Sequence, residues 1–207
     1  PGAADVRDQE RKRGGRDALY LLDPANDHIV RRLEFPELVA IHDPALAPDA
    51  RSVVFAAQAY DGQQDLFRAT WDAGPVQLER LTHDGYDDVE PSISPDGAWV
   101  AWASDRGDLG GRYSLWRLPL AGGRSEVVSH PPAGDDRQPE YSPDGQWISY
   151  RSTRGGTSDL WVRPSVPSRE ARRVTRLQGV ASDPDWLPNG KGLLFTAQEA
   201  VSFRTWS

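Results

Sequence analysis

The chain has 207 residues, a net charge of −7 and no cysteine. The missing cysteines exclude a disulfide framework and a thiolate metal site, and the acidic balance argues against a nucleic-acid-binding surface. No apolar run approaches the ~18 residues that a membrane-spanning helix needs. Glycine (19) and proline (17) are frequent, which is typical of a chain that turns often.

The first segment, 1–17, is charged and has no hydrophobic periodicity, so we interpret it as a linker or loop. Two short runs rich in apolar residues follow at 18–22 and 29–33, separated by a turn that contains Asp, Pro and Asn. This pattern predicts two antiparallel strands joined by a tight connection. We expect them to be the last two strands of a four-stranded unit, over 18–34.

Three longer units come next, at about 40–82, 89–129 and 138–177. In each unit a strand, a proline-containing turn and a second strand precede another pair of strands. The segment 183–207 supplies the first two strands of a further unit, and 201–206 is the candidate third strand. The sequence therefore predicts three complete units flanked by two partial ones.

A repeated turn gives these units their register. The segments 43–58, 90–105, 138–153 and 183–198 align on a proline at Pro48, Pro95, Pro143 and Pro188, spaced 47, 48 and 45 residues apart. A second proline lies four residues before each of them. A fixed period of 20–50 residues is the signature of a solenoid or a propeller.

The turn has a physical explanation. In the second unit Pro95 fixes φ at the first central position, Asp96 tolerates the next one, and Gly97 supplies a left-handed residue that closes the hairpin. The corresponding turn residues elsewhere are Pro143, Asp144 and Gly145 in the third unit and Asn189 and Gly190 in the last. The first unit has Asp49 and Ala50 there, and alanine is a poor left-handed residue.

Four short strands in about 45 residues predict an all-β fold, a β-propeller of four-stranded antiparallel blades. The runner-up, a β-sandwich, would not repeat its turn chemistry at a fixed period. The two partial blades could combine to close a four-bladed ring, or they could be the ends of an arc cut from a longer ring. We expect the arc.

The combination of Ser-Pro-Asp-Gly, a strand, Ser-x-Arg, then Asp-Leu-Trp and a Gly-Gly turn resembles the TolB-type (WD-like) propeller repeat, over 18–207. The resemblance implies a ring of six or seven blades. It also implies a non-catalytic module that binds a protein or peptide partner in the periplasm or elsewhere outside the cytoplasm. An alternative that the same resemblance allows is the accessory propeller of a larger enzyme, such as a prolyl oligopeptidase-like peptidase or a metallopeptidase, whose catalytic domain lies outside this chain.

The sequence contains no G-x-S-x-G or H-E-x-x-H segment, no phosphate-binding loop and no dinucleotide fingerprint. We therefore predict neither catalytic residues nor a resident cofactor in this stretch. A lyase or sugar-binding site in the channel would need clustered histidines or carboxylates on the inner strands. Those strands offer little beyond Glu90, Glu140 and Asp185.

Two acidic pairs are candidate binding residues. Asp87 and Asp88 precede the first proline of the second blade by the same spacing at which Asp135 and Asp136 precede that of the third. Equivalent positions in neighbouring blades point to one rim of the ring, where carboxylates could hold a divalent cation or meet a basic partner. The structural alternative is that these aspartates bond to the backbone of their own loops.

Two further candidates are single residues. His83 lies between an outer strand and the next blade, so it is either a ligand facing the channel or an ordinary loop residue. Trp186 lies where an inner strand should meet the channel. Arg106 and Arg154 occupy matching positions after the second strand of their blades, where they either pair with acidic residues or face a ligand.

Overall fold

The computed structural model describes residues 17–23, 25, 28–71, 74–106, 110–166 and 170–199. Across these ranges the chain forms sixteen β-strands and no helix. The strands make three four-stranded and two two-stranded antiparallel sheets. Nothing in the described part of the chain is a helix long and apolar enough to cross a membrane.

Each sheet is a simple meander, in which strands that follow one another in sequence also pair. We call the sheets the N-terminal hairpin, the first, second and third blades, and the C-terminal hairpin. The N-terminal hairpin contains β1 (Ala18–Asp23) and β2 (His28–Glu34), and the C-terminal hairpin contains β15 (Gly179–Trp186) and β16 (Leu193–Glu199). The first blade contains β3 (Leu38–Leu46), β4 (Ser52–Ala59), β5 (Gln64–Thr70) and β6 (Gln77–Arg80). The second contains β7 (Asp88–Ile93), β8 (Trp99–Ser104), β9 (Ser114–Pro119) and β10 (Glu126–Ser129), and the third β11 (Asp136–Tyr141), β12 (Trp147–Ser152), β13 (Asp159–Pro164) and β14 (Arg172–Arg173).

The core lies between the blades, centred on the second strand of each. Phe55 on β4, Trp102 on β8 and Tyr150 on β12 occupy the same repeat position and are fully buried. Their strands are largely buried on both faces, because a blade is covered by its neighbours on both sides. The large rings fill the space that the twist of successive sheets leaves between them.

The repeated turn joins the first two strands of each blade. Gly97, Gly145 and Gly190 have φ values of 69°, 69° and 68°, and the amide of each donates to a carbonyl three residues earlier at 2.8 Å. Ala50 takes the same conformation in the first blade, with φ 54°. Since an L-residue pays a steric penalty there, the first turn is the strained copy.

The predicted all-β propeller architecture is confirmed, with four-stranded antiparallel sheets and no helix among the described residues. Two predictions fall outside those residues: the linker over most of 1–17 and the third strand at 201–206. The division into domains stays a prediction.

Candidate functional site

The first strands of four consecutive sheets converge on one cavity. It has a volume of about 240 Å³ and is lined only by residues of β3, β7, β11 and β15. The lining residues are Asp43, Pro44, Glu90, Pro91, Gln138, Pro139, Glu140, Asp183 and Pro184. These are therefore the inner strands, and we call this space the axial cavity.

A strained backbone position recurs on each inner strand. Asp43, Glu90, Gln138 and Asp183 have φ values of 49°, 56°, 54° and 52°. Each precedes a proline, and at each the pairing with the second strand shifts by a bulge. Non-glycine residues pay about 1–2 kcal/mol for this conformation, and such strain clusters at functional sites.

Hydrogen bonds link these positions from blade to blade. Glu90 Oε2 accepts the backbone N–H of Gln138 at 2.8 Å. The Gln138 side chain continues the chain, since its Nε2 donates to Asp183 Oδ1 at 2.7 Å and its Oε1 accepts the Asp183 amide at 3.1 Å. At Glu90 and Gln138 the bulge thus orients a polar side chain toward the next sheet, which links the second blade, the third blade and the C-terminal hairpin around the axial cavity.

The axial cavity carries an excess of negative charge. Asp43, Glu90, Glu140 and Asp183 contribute carboxylates, and Arg137 Nε lies 3.4 Å from Glu90 Oε2. Burial raises the pKa of Glu140 to about 7, although a hydrogen bond from Ser92 opposes this; the charge of Asp185 raises it further. An incoming cation would stabilise the charged form of such a carboxyl group.

Asp88 and Asp136 lie inside the blades and are fully buried. Asp88 pairs with Arg106, and its Oδ1 accepts the indole N–H of Trp102 at 2.8 Å. Asp136 pairs with Arg154 in the same way. Burial raises the pKa of Asp88, while the Arg106 charge opposes that shift. Both aspartates act here as structural partners of the two arginines, each within its own blade.

Asp87 and Asp135 connect neighbouring blades. Asp87 Oδ1 accepts the amide of Gln64 at 3.3 Å, and Asp135 Oδ1 accepts the amide of Tyr113 at 2.9 Å. Gln64 begins the third strand of the first blade, and Tyr113 directly precedes the third strand of the second blade. Each half-buried aspartate therefore binds its inter-blade loop to the preceding sheet. Each acidic pair thus contains one bridging residue, Asp87 or Asp135, and one buried residue, Asp88 or Asp136.

Among the described residues, the carboxylates of Asp65, Asp84 and Asp88 have a spacing that could hold a metal ion, since their oxygens lie within 4.8 Å of one another. Arg80 pairs with Asp65, and Arg106 pairs with both Asp84 and Asp88. These two guanidinium groups contact all three carboxylates and offset two of their three negative charges. A divalent cation at the acidic pairs stays a prediction.

His83 and Trp186 lie apart from each other. His83 is exposed in the loop between β6 and β7. Trp186 is half-buried at the end of β15, where its indole N–H donates to the carbonyl oxygen of Glu140 at 3.1 Å. Trp186 thus supports the inner strand that carries Glu140, and it does not line the axial cavity itself. Of the four left-handed residues of that cavity, Glu90 was named from the sequence as an inner-strand carboxylate, whereas Asp43, Gln138 and Asp183 were missed. The available signal was a polar residue directly before each inner-strand proline.

These sheets and their inner cavity define a β-propeller fold. No protein-family profile matches the sequence. A protein assigned as TolB in Agrobacterium tumefaciens aligns with 90% of this chain and 65% of its own, at 21% identity and a TM-score of 0.74. TolB from Acinetobacter baumannii aligns with 85% of this chain and 42% of its own, at 21% identity and a TM-score of 0.66.

A puromycin hydrolase aligns with 82% of this chain and 27% of its own, at 18% identity and a TM-score of 0.64. The chain therefore spans less than two thirds of each of these proteins. The resemblance seen in the repeat is confirmed at the level of the fold, which is what likeness at this identity shows.

Proposed function

We propose that this chain is a non-catalytic interaction module, and that the axial cavity receives a positively charged group of a protein or peptide partner. The observation that carries this proposal is the repeated strained residue on the inner strands. A glycine would remove the strain at each position, yet all four residues are polar and three are carboxylates. Strain that is retained together with charge supports a binding role.

The dimensions and charge of the cavity select the ligand. A volume of about 240 Å³ accommodates one side chain or a chain terminus rather than a folded segment. Arginine, lysine and an amino terminus match the carboxylates of Asp43, Glu90 and Asp183. We therefore propose that a single basic residue of the partner enters the cavity while the flanking residues rest on the surrounding loops.

The test is calorimetric titration with short synthetic peptides that differ only in a central Arg, Lys or Glu. We expect binding of the Arg and Lys peptides, weakened by salt, and none of the Glu peptide. Asp43→Asn and Glu90→Gln should each reduce affinity about tenfold, which corresponds to one lost charge pair. Asparagine tolerates the left-handed conformation, so the first variant removes charge with little strain.

Glu170→Gln is the matched control, because Glu170 is exposed in the connection between β13 and β14. It should bind like the wild type. Equal affinity for peptides of both signs, or unchanged affinity in both cavity variants, would overturn the proposal.

We propose further that the module acts outside the cytoplasm, as the resemblance of its repeat to TolB-type propellers suggests. Fractionation of the source cells with an antibody against this chain tests the location. Recovery in the cytoplasmic fraction alone would contradict it.

A second candidate is the accessory propeller of a larger enzyme. Likeness to the propeller of a puromycin hydrolase, of which this chain covers 27%, favours it. Sequencing the gene on both sides of residues 1 and 207 separates the two candidates. A flanking hydrolase segment with G-x-S-x-G would make this propeller part of an enzyme, whereas further blades alone would support the interaction module.

A further inference from the structure

Arg163 is a buried cation without an acidic partner. It lies on β13 opposite Ile148 of β12 and is 7% exposed. Its hydrogen bond runs from Nε to the carbonyl oxygen of Pro164 at 3.4 Å, which is weak. Among the residues that the structure describes, no carboxylate lies within ion-pairing distance of its guanidinium.

Four half-buried arginines of the blades behave differently. The arginines at 80, 106, 154 and 173 each pair with a buried aspartate. Removing a charge from water costs several kcal/mol unless a partner compensates for it. Arg163 therefore differs from these four arginines.

The repeat shows that the fold does not need an arginine at this position. The equivalent residue is Ala69 in the first blade and Leu118 in the second, and both pair with a valine of the neighbouring strand. An apolar side chain satisfies the same register in both blades. Arg163 is thus an addition specific to the third blade.

Two further arginines lie near Arg163, and both are paired with carboxylates. Arg117 of the second blade reaches across to the third and donates from Nη1 to the carbonyl oxygen of Ser165 at 2.9 Å, two residues beyond Arg163. Burial lowers the pKa of Arg163; Tyr150 and the charge of Asp136 oppose this shift, and the charges of Arg154 and Arg117 add to it. Since Arg154 already pairs with Asp136 and Arg117 with Glu126, the charge of Arg163 is the one that these ion pairs leave uncompensated.

We propose that Arg163 is the core of a binding site for a small oxyanion, a carboxylate or a phosphate, at the junction of the second and third blades. The planar guanidinium offers paired donors that match two oxygens of such a group. The small exposed fraction restricts access to a ligand of a few heavy atoms. This site is separate from the axial cavity and does not depend on the function proposed for it.

Thermal unfolding in phosphate, sulfate and acetate, each against chloride at equal ionic strength, tests the proposal. Anions also stabilise proteins without binding, so the comparison is with Arg163→Leu, which installs the residue of the second blade. We expect the wild type to gain at least ~2 °C more than this variant, with saturation at millimolar anion. Saturation by acetate would assign a carboxylate, and saturation by phosphate a phosphate.

The variant itself gives a second readout. In chloride, Arg163→Leu should be at least as stable as the wild type, because an apolar residue replaces an uncompensated charge. Arg172→Leu, which removes an exposed charge from the same blade, should keep the full anion response. A destabilised Arg163→Leu protein with an unchanged anion response, or the absence of saturable stabilisation by all three anions, would overturn the proposal.

Discussion

Trp102 and Trp116 allow one hydrogen bond to be measured within a nearly symmetric environment. They face each other on β8 and β9, and the guanidinium of Arg106 lies 5.3 Å and 5.2 Å from their rings. The Trp102 indole N–H donates to Asp88 at 2.8 Å. The buried indole N–H of Trp116 has no partner among the described residues.

Substitution of either tryptophan by phenylalanine removes the same atoms and leaves a similar gap beside Arg106. Trp102→Phe also leaves a buried carboxylate oxygen without its donor, which costs about 1.5–3 kcal/mol for a charged acceptor. Trp102 is fully buried and Trp116 only half-buried, so packing adds about 1 kcal/mol to the difference. We expect Trp102→Phe to lower the free energy of unfolding by at least ~2 kcal/mol more than Trp116→Phe.

Urea denaturation followed by far-UV circular dichroism measures both variants, and a constant m-value would show that the comparison is valid. A double-mutant cycle with Asp88→Asn isolates the contact from packing. A coupling of at least ~1 kcal/mol between positions 102 and 88 is expected. Equal losses in the two phenylalanine variants, with no coupling, would refute the assignment of this hydrogen bond as a main stabilising element of the second blade.

Three further predictions concern single positions. Burial raises the pKa of Glu140 from 4.5 to about 7, so between these values the folded chain holds a proton that the unfolded chain has lost, and the free energy of unfolding falls as the pH rises. Between pH 5 and pH 8 the wild type should lose up to ~3 kcal/mol relative to Glu140→Gln in urea titrations. Parallel stability curves of the two proteins would contradict this. Ala50→Gly should raise the free energy of unfolding by about 0.5–1 kcal/mol, because glycine adopts the φ of 54° without steric strain, and this gain exceeds the added entropy of the unfolded chain. A lower urea midpoint for the variant would count against strain at Ala50. Gly145→Ala should lose more stability than Gly190→Ala, because the new Cβ at position 145 would lie 3.2 Å from Pro95 Cγ, whereas nothing lies within 4 Å of a Cβ at position 190. Equal melting temperatures would show that Pro95 moves aside without cost.

The repeated turn could be read from sequence because its causes are local. Pro95, Asp96 and Gly97 determine the backbone over three residues, and the glycine is needed because φ is positive there. The burial of Asp88 was not accessible in the same way. Side chains alternate in direction along a strand, so the step from Asp87 to Asp88 takes the carboxylate from the inter-blade loop to the interior. Spacing to the nearest proline does not decide between these two directions.

The left-handed positions of the axial cavity were missed for a different reason. A residue before proline ordinarily takes an extended conformation, so Glu90 and its equivalents read as regular strand residues. Their left-handed conformation arises from a bulge, which depends on how the first strand pairs with the second. That pairing is not local in sequence. The available signal was that the residue before each inner-strand proline is polar and never β-branched, as a left-handed position requires.

The four inner strands keep the backbone of this position and vary its side chain. Asp43, Glu90, Gln138 and Asp183 all share the strain, yet their reach and charge differ. If the bulge served blade packing alone, glycine or asparagine would suffice at these four positions, because these residues carry the least strain there. Gln138 is the neutral member, and it hydrogen-bonds to the Asp183 side chain. The carboxylates of Asp43, Glu90 and Asp183 therefore carry the charge that a basic ligand would meet, and Arg137 already lies beside that of Glu90.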